Sequence, residues 1–116
     1  MEKQLPLTPA VFNVLLTLAD SDQHGYAILK EVAENTGGEV QLSTGTLYGI
    51  IKRLLSTGLI VELRHRPPVD DDDQRRRYYR LTDAGREVAA AEARRMEKLI
   101  ARARSKRLLK ALKTTG

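Results

Sequence analysis

The amino-acid sequence predicts a mostly α-helical fold carrying a small β-hairpin, with one long helix appended at its C-terminal end. Three observations lead there. The first half holds three segments of helical period, each preceded by residues able to cap it; after Gly58 the texture changes to two short runs of β-branched and aromatic residues; and the final stretch is rich in Ala, Glu, Arg and Lys. A chain of 116 residues with 41% apolar content fits one domain, one appended element and a modest core.

Thr8 followed by Pro9 opens the first helix, because a hydroxyl can cap free amides while proline loses nothing at the first helical position. The pattern predicts a helix over 9–19. Its apolar residues cover an arc of about 200° at 100° per residue, wider than a single core-facing stripe. Such a helix is either central in one core or shared between the core and a second subunit.

Asp20-Ser21-Asp22 ends that helix and can cap the next, predicted over 23–35 and closed by Gly37-Gly38. A short extended piece, 39–42, leads to Ser43, which caps a third helix over 44–57 that stops at Gly58. Residues 59–64 then read as a strand and 77–81 as its return partner. The loop between them holds two prolines and four consecutive aspartates, and makes a polar hairpin tip. Thr82 caps the last helix, over 83–112.

Three helices followed by a hairpin is the order of a winged helix-turn-helix, in which the third helix enters the major groove and the hairpin reaches along the backbone. The expected division is a winged helix-turn-helix domain over 1–82 and a C-terminal dimerisation helix over 83–116. On the third helix Leu47, Ile50, Ile51, Leu54 and Leu55 recur at three- and four-residue spacing and must face the core. That leaves Thr44, Tyr48 and Lys52 outside, flanked by Gly45, Gly49 and Arg53. Free amides near Ser43 and Thr44 favour a phosphate, the glycines allow close approach, Tyr48 offers a hydroxyl, and Lys52 or Arg53 supplies charge.

The net charge of +5 makes polyanions plausible partners. Basic residues stand on both arms of the hairpin: Arg64, His65 and Arg66 before its tip, then Arg75, Arg76, Arg77 and Arg80 after it. They can straddle a phosphate backbone. They can equally pair with Asp70 to Asp73 in a solvated, balanced loop. The aspartate run lacks the alternating spacing of a calcium loop, so no metal is expected.

The stretches His24-Gly25-Tyr26, Leu42-Ser43-Thr44-Gly45-Thr46-Leu47-Tyr48, Lys52-Arg53-Leu54, Gly58-Leu59-Ile60 and Tyr78-Tyr79-Arg80-Leu81-Thr82 with Gly85 resemble the PadR family of transcriptional regulators, over about residues 5–90. The likeness is to the subgroup with a short C-terminal region. It implies a homodimeric repressor, often relieved by a small aromatic or cationic effector, with Tyr48 and its neighbours on DNA and the wing on the backbone. One departure is the wing tip, where Pro67-Pro68-Val69 and four aspartates replace the usual glycine and basic residues. The expected DNA-binding set is therefore Ser43, Thr44, Gly45, Thr46, Tyr48 and Lys52, with Arg75, Arg76 and Arg77 from the wing.

The last helix sets Ala89, Ala93, Met96, Ile100 and Ala103 at alternating four- and three-residue steps, a seam for another helix. With Val88 and Leu99 beside them, and Val11 and Leu15 from the first helix, these form the expected dimer interface. In ligand-responsive relatives the effector lies in an apolar channel there. Phe12, Leu16, Met96 and Ile100 could line one here, although core packing accounts for them as well, and the last helix has no aromatic residue.

No cysteine is present, which excludes disulfides, thiolate metal sites and cysteine nucleophiles. No stretch approaches the roughly 20 apolar residues that span a bilayer, and the chain reads as a cytoplasmic protein. Neither a phosphate loop nor a nucleophile motif accompanies His24 and His65, so no catalytic residue, enzyme activity or cofactor is expected. The alternative to a sequence-specific regulator of double-stranded DNA with a pseudo-palindromic operator is a winged-helix module for protein association. Large apolar anchors, usual in such contacts, are missing from the third-helix face.

Overall fold

The computed structural model describes residues 5–63 and 77–110, arranged as four helices and a three-stranded antiparallel sheet. Helix α1 spans Pro9–Asp20, strand β1 Gln23–His24, and helix α2 Gly25–Asn35. Helix α3 spans Thr44–Ser56, strands β2 and β3 span Ile60–Leu63 and Tyr78–Leu81, and helix α4 spans Asp83–Ser105. The architecture is mostly helical with a small sheet, as the sequence predicts.

Three of the helices begin where a hydroxyl meets a free amide. Thr8 Oγ1 accepts from Val11 N at 3.1 Å, Ser43 Oγ from Thr46 N at 3.0 Å, and Thr82 Oγ1 from Gly85 N at 3.0 Å. The second helix departs from expectation. Its cap is His24, whose Nδ1 accepts from Ala27 N at 3.2 Å, and the two residues expected in its first turn form β1 instead. Asp22, expected to cap, pairs with Arg80.

Strand β1 exists through pairing. Gln23 lies opposite Tyr79 and His24 opposite Tyr78, so β3 is central and the sheet order is β1-β3-β2. On its other edge β3 pairs with β2, from Ile60 opposite Leu81 to Leu63 opposite Tyr78. The expected hairpin is thus joined to the turn between α1 and α2. No strand forms over residues 39–42; Glu39 N donates to Thr36 O and Val40 N to Thr36 Oγ1, which close a compact turn. Gly37 and Gly38, at φ 62° and 84°, supply the left-handed backbone that ends α2.

The core lies between α1, α2, α3 and the sheet. Val14, Leu15, Ile28, Val32, Leu47 and Ile60 are all but fully enclosed, each worth about 1.5–3 kcal/mol in transfer from water. Val88 and Ala89 close this core from α4. Gly85 permits the approach: a Cβ there would collide with the Leu59 carbonyl oxygen. The wide apolar arc of α1 is divided accordingly, with Val14, Leu15 and Leu18 buried and Leu16 left 45% exposed.

Glu92 is a charged member of this interior, with no exposure at all. Arg95 Nε and Nη2 donate to its two carboxylate oxygens, each at 2.8 Å. These hydrogen bonds hold the carboxyl below the usual carboxylate range; burial opposes them, and the Arg95 charge and a hydrogen bond from the Leu7 backbone act in their favour. Glu92 thereby ties the segment before α1 to α4. The last helix ends at Ser105, short of the expected 112, where Arg107 takes a left-handed φ of 65°.

Candidate nucleic-acid interface

The exposed side of α3 is built from its spacing. Leu47, Ile51 and Leu54 point into the core, and Ile50 and Leu55 are half-buried beside them. Ser43, Thr44, Gly45, Thr46, Tyr48, Gly49, Lys52 and Arg53 are exposed. Every residue expected on this face is therefore presented outward together.

Gly45 and Gly49 give the face its shape. Neither has a positive φ, and among the described residues a Cβ on either would meet no atom beyond its own stretch of helix within 4 Å. Nothing among the described residues requires a glycine at these positions, and each costs a helix about 1 kcal/mol relative to alanine. The room they leave faces solvent. At the start of the helix Ser43 Oγ is committed to Thr46 N and Thr46 Oγ1, while Tyr48, 46% exposed, stands at the second turn.

Of the wing arginines, Arg77 alone among the three expected ones falls within the described residues. It is exposed and lies 3.7 Å from Glu62 across the hairpin, a loose surface pair that leaves its charge largely available. Arg75 and Arg76, the basic run from Arg64 to Arg66 and the aspartates at the tip lie outside the described residues. Arg80 is bound to Asp22. Beneath the hairpin Tyr79 is buried; burial raises its pKa, the charge of Glu62 and the Tyr48 phenol act the same way, and Arg77 opposes them.

The expected dimer residues separate into two groups. Leu15, Val88 and Ala89 are enclosed by the chain's own core and have no surface to offer a partner. Val11, Met96 and Ala103 are half-buried, whereas Ala93, Leu99 and Ile100 are exposed, the last two by 44% and 41%. Among the candidate effector residues, Phe12 and Met96 are half-buried and Leu16 and Ile100 exposed. A cavity of about 180 Å³ lies elsewhere, between the segment before α1 and the end of α3, lined by Pro6, Leu7, Val11, Ile50, Arg53 and Leu54 among others.

Among the described residues there is no group of three potential metal ligands, and no helix is long and apolar enough to cross a membrane. Sequence reasoning missed Glu92, for which Arg95 three residues on is the available signal. It also missed the Asp22–Arg80 pair, whose members lie 58 positions apart.

Residues 14–91 match the family model of the transcriptional regulator PadR-like family. Among solved structures the chain is similar to a PadR family transcription regulator from Clostridium difficile R20291, at 26% identity and a TM-score of 0.71, covering 84% of this chain and 97% of that one. It is similar also to a transcriptional regulator from Clostridium thermocellum, at 25% identity and a TM-score of 0.67, over 84% of this chain and 87% of the other. Bacillus subtilis PadR in complex with operator DNA shares the fold, with a TM-score of 0.59 and 21% identity over 70% of this chain and 44% of that one. None of the curated proteins matches the sequence.

Proposed function

Because the chain belongs to the PadR-like family of transcriptional regulators, we propose that it acts as a homodimeric repressor whose α3 reads operator DNA in the major groove. The observation that carries this reading is the outward face of α3, where two glycines leave room that none of the described residues uses, beside Thr44, Tyr48 and Lys52. A duplex is the partner that fits such a face. Helix amides near Ser43 meet a phosphate, and the side chains beyond reach base edges.

Arg77 at the wing base adds backbone contact, with Arg75 and Arg76 preceding it in sequence. In this reading residues 1–82 bind DNA and the helix from 83 onward pairs two protomers, through Leu99, Ile100 and Ala93. Two-fold symmetry then calls for a pseudo-palindromic operator with half-sites about 34 Å apart. The effector reading places a planar aromatic or cationic molecule against Phe12, Leu16, Met96 and Ile100. A panel of such compounds without saturable binding would remove it.

The deciding experiment is fluorescence anisotropy of labelled duplex from upstream of the protein's own gene, against scrambled duplex and single-stranded RNA, over a salt series. Promoter-selective binding that Tyr48→Ala abolishes is the expected result, with a salt slope of about 0.9 per phosphate contact. Equal, weak binding to all three nucleic acids would overturn the proposal and point to a protein partner.

A further inference from the structure

Gly25 is buried at the first turn of α2, and its backbone angles do not call for glycine. What calls for it is Tyr48. A Cβ on Gly25 would collide with Tyr48 Oη and stand 2.9 Å from Tyr48 Cζ. The tyrosine ring of α3 therefore lies across the start of α2, in the space a side chain would take. Gly45 and Gly49 are open outward; Gly25 is open toward one ring.

The start of α2, which carries this seat, is itself held by neighbours on two further elements. His24 caps α2 through Nδ1 and pairs in register with Tyr78 of β3. Its ring meets Tyr78 edge-on, with centroids 5.3 Å apart at 90°, and stacks beside Tyr26 at 6.4 Å and 13°. A half-exposed tyrosine on a helix surface would otherwise sample several rotamers. Holding it in one direction removes an ordering cost from binding and fixes what the side chain can reach.

We propose that Gly25 is a positioning residue for DNA recognition, whose missing side chain seats Tyr48 and sets the direction of its ring on the reading face of α3. The inference rests on the reading of Tyr48 as a DNA contact. Gly25 touches no nucleic acid in this account and acts only through Tyr48.

A double-mutant cycle tests it, using Gly25→Ala, Tyr48→Ala and the double variant, with anisotropy on the labelled upstream duplex and on scrambled duplex, and a thermal melt of each protein. Gly25→Ala is expected to lower promoter affinity about tenfold, with scrambled-duplex binding unchanged. In the Tyr48→Ala background the same change is expected to do nothing further. Wild-type affinity of Gly25→Ala beside a loss in Tyr48→Ala, or losses that multiply in the double variant, would overturn the seat. Wild-type affinity of Tyr48→Ala would instead overturn the reading on which the seat rests. Should Gly25→Ala fail to fold, recovery of the melt in the double variant supports the seat, and no recovery overturns it.

Discussion

Asp22, in the turn after α1, and Arg80, on β3, meet as a bidentate pair, with Arg80 Nε donating to Oδ1 at 3.1 Å and Nη2 to Oδ2 at 2.8 Å. The hydrogen bonds and the carboxylate charge raise the guanidinium pKa further, and the arginine is anchored on the protein. Asp22→Asn should release it toward the phosphates. The salt slope on scrambled duplex is then expected to steepen by about 0.9, one added contact. The melting temperature should move little, since exposed pairs contribute little. A slope equal to the wild type's would place Arg80 out of reach of DNA.

Glu92 makes stability depend on acid. Its folded pKa is depressed, so its contribution is complete above the unfolded carboxylate value of about 4.3 and is lost as pH falls through the lower folded value. Glu92→Gln keeps the volume and abolishes the titration. Urea denaturation should find the variant less stable at pH 7, and the gap should shrink steadily toward pH 3. A gap independent of pH would remove Glu92 as the titrating group.

At Gly85 the obstacle is backbone. An added methyl would collide with the Leu59 carbonyl oxygen and stand 2.7 Å from Leu81 Cδ1. Gly85→Ala should therefore cost about 1–3 kcal/mol, through displacement of α4 from the sheet. Calorimetry would read this as a melting temperature lower by at least about 4 °C. Unchanged melting would mean that α4 can shift without loss.

On α4, Leu99 and Ile100 carry the proposed pairing. Replacing both with Glu sets like charges in an apolar seam, and sedimentation should then show monomers against the dimers expected of the wild type. The melt of the domain should be nearly unaltered, because both side chains lie outside its core. A variant that still sediments as a dimer would move the interface elsewhere.

Local chemistry was legible in the sequence where it acts locally. The caps at Thr8, Ser43 and Thr82 depend on amides three residues away, and the inward stripe of α3 depends only on period. Strand β1 was not legible, because Gln23 and His24 become a strand only when β3 arrives beside them. The same holds for Glu92, whose burial requires both the Arg95 guanidinium and the backbone of Leu7. The division of the dimer residues followed the same rule: helical spacing put Ala89 on one seam with Ile100 and Val88 beside it, and only packing reveals that the chain's own core claims Val88 and Ala89.

Beyond Glu92, α4 runs on to Ser105 without another buried residue, roughly 20 Å of helix past the last point of enclosure. A helix segment of that length is marginal in water by itself. Where two chains pair through it, the segment sets the distance between the two reading helices, and pairing covers a stretch of helix that the chain's own core leaves open. Dilution is then expected to weaken operator binding by separating the protomers, because each chain alone carries one reading helix and no fixed spacing to a second.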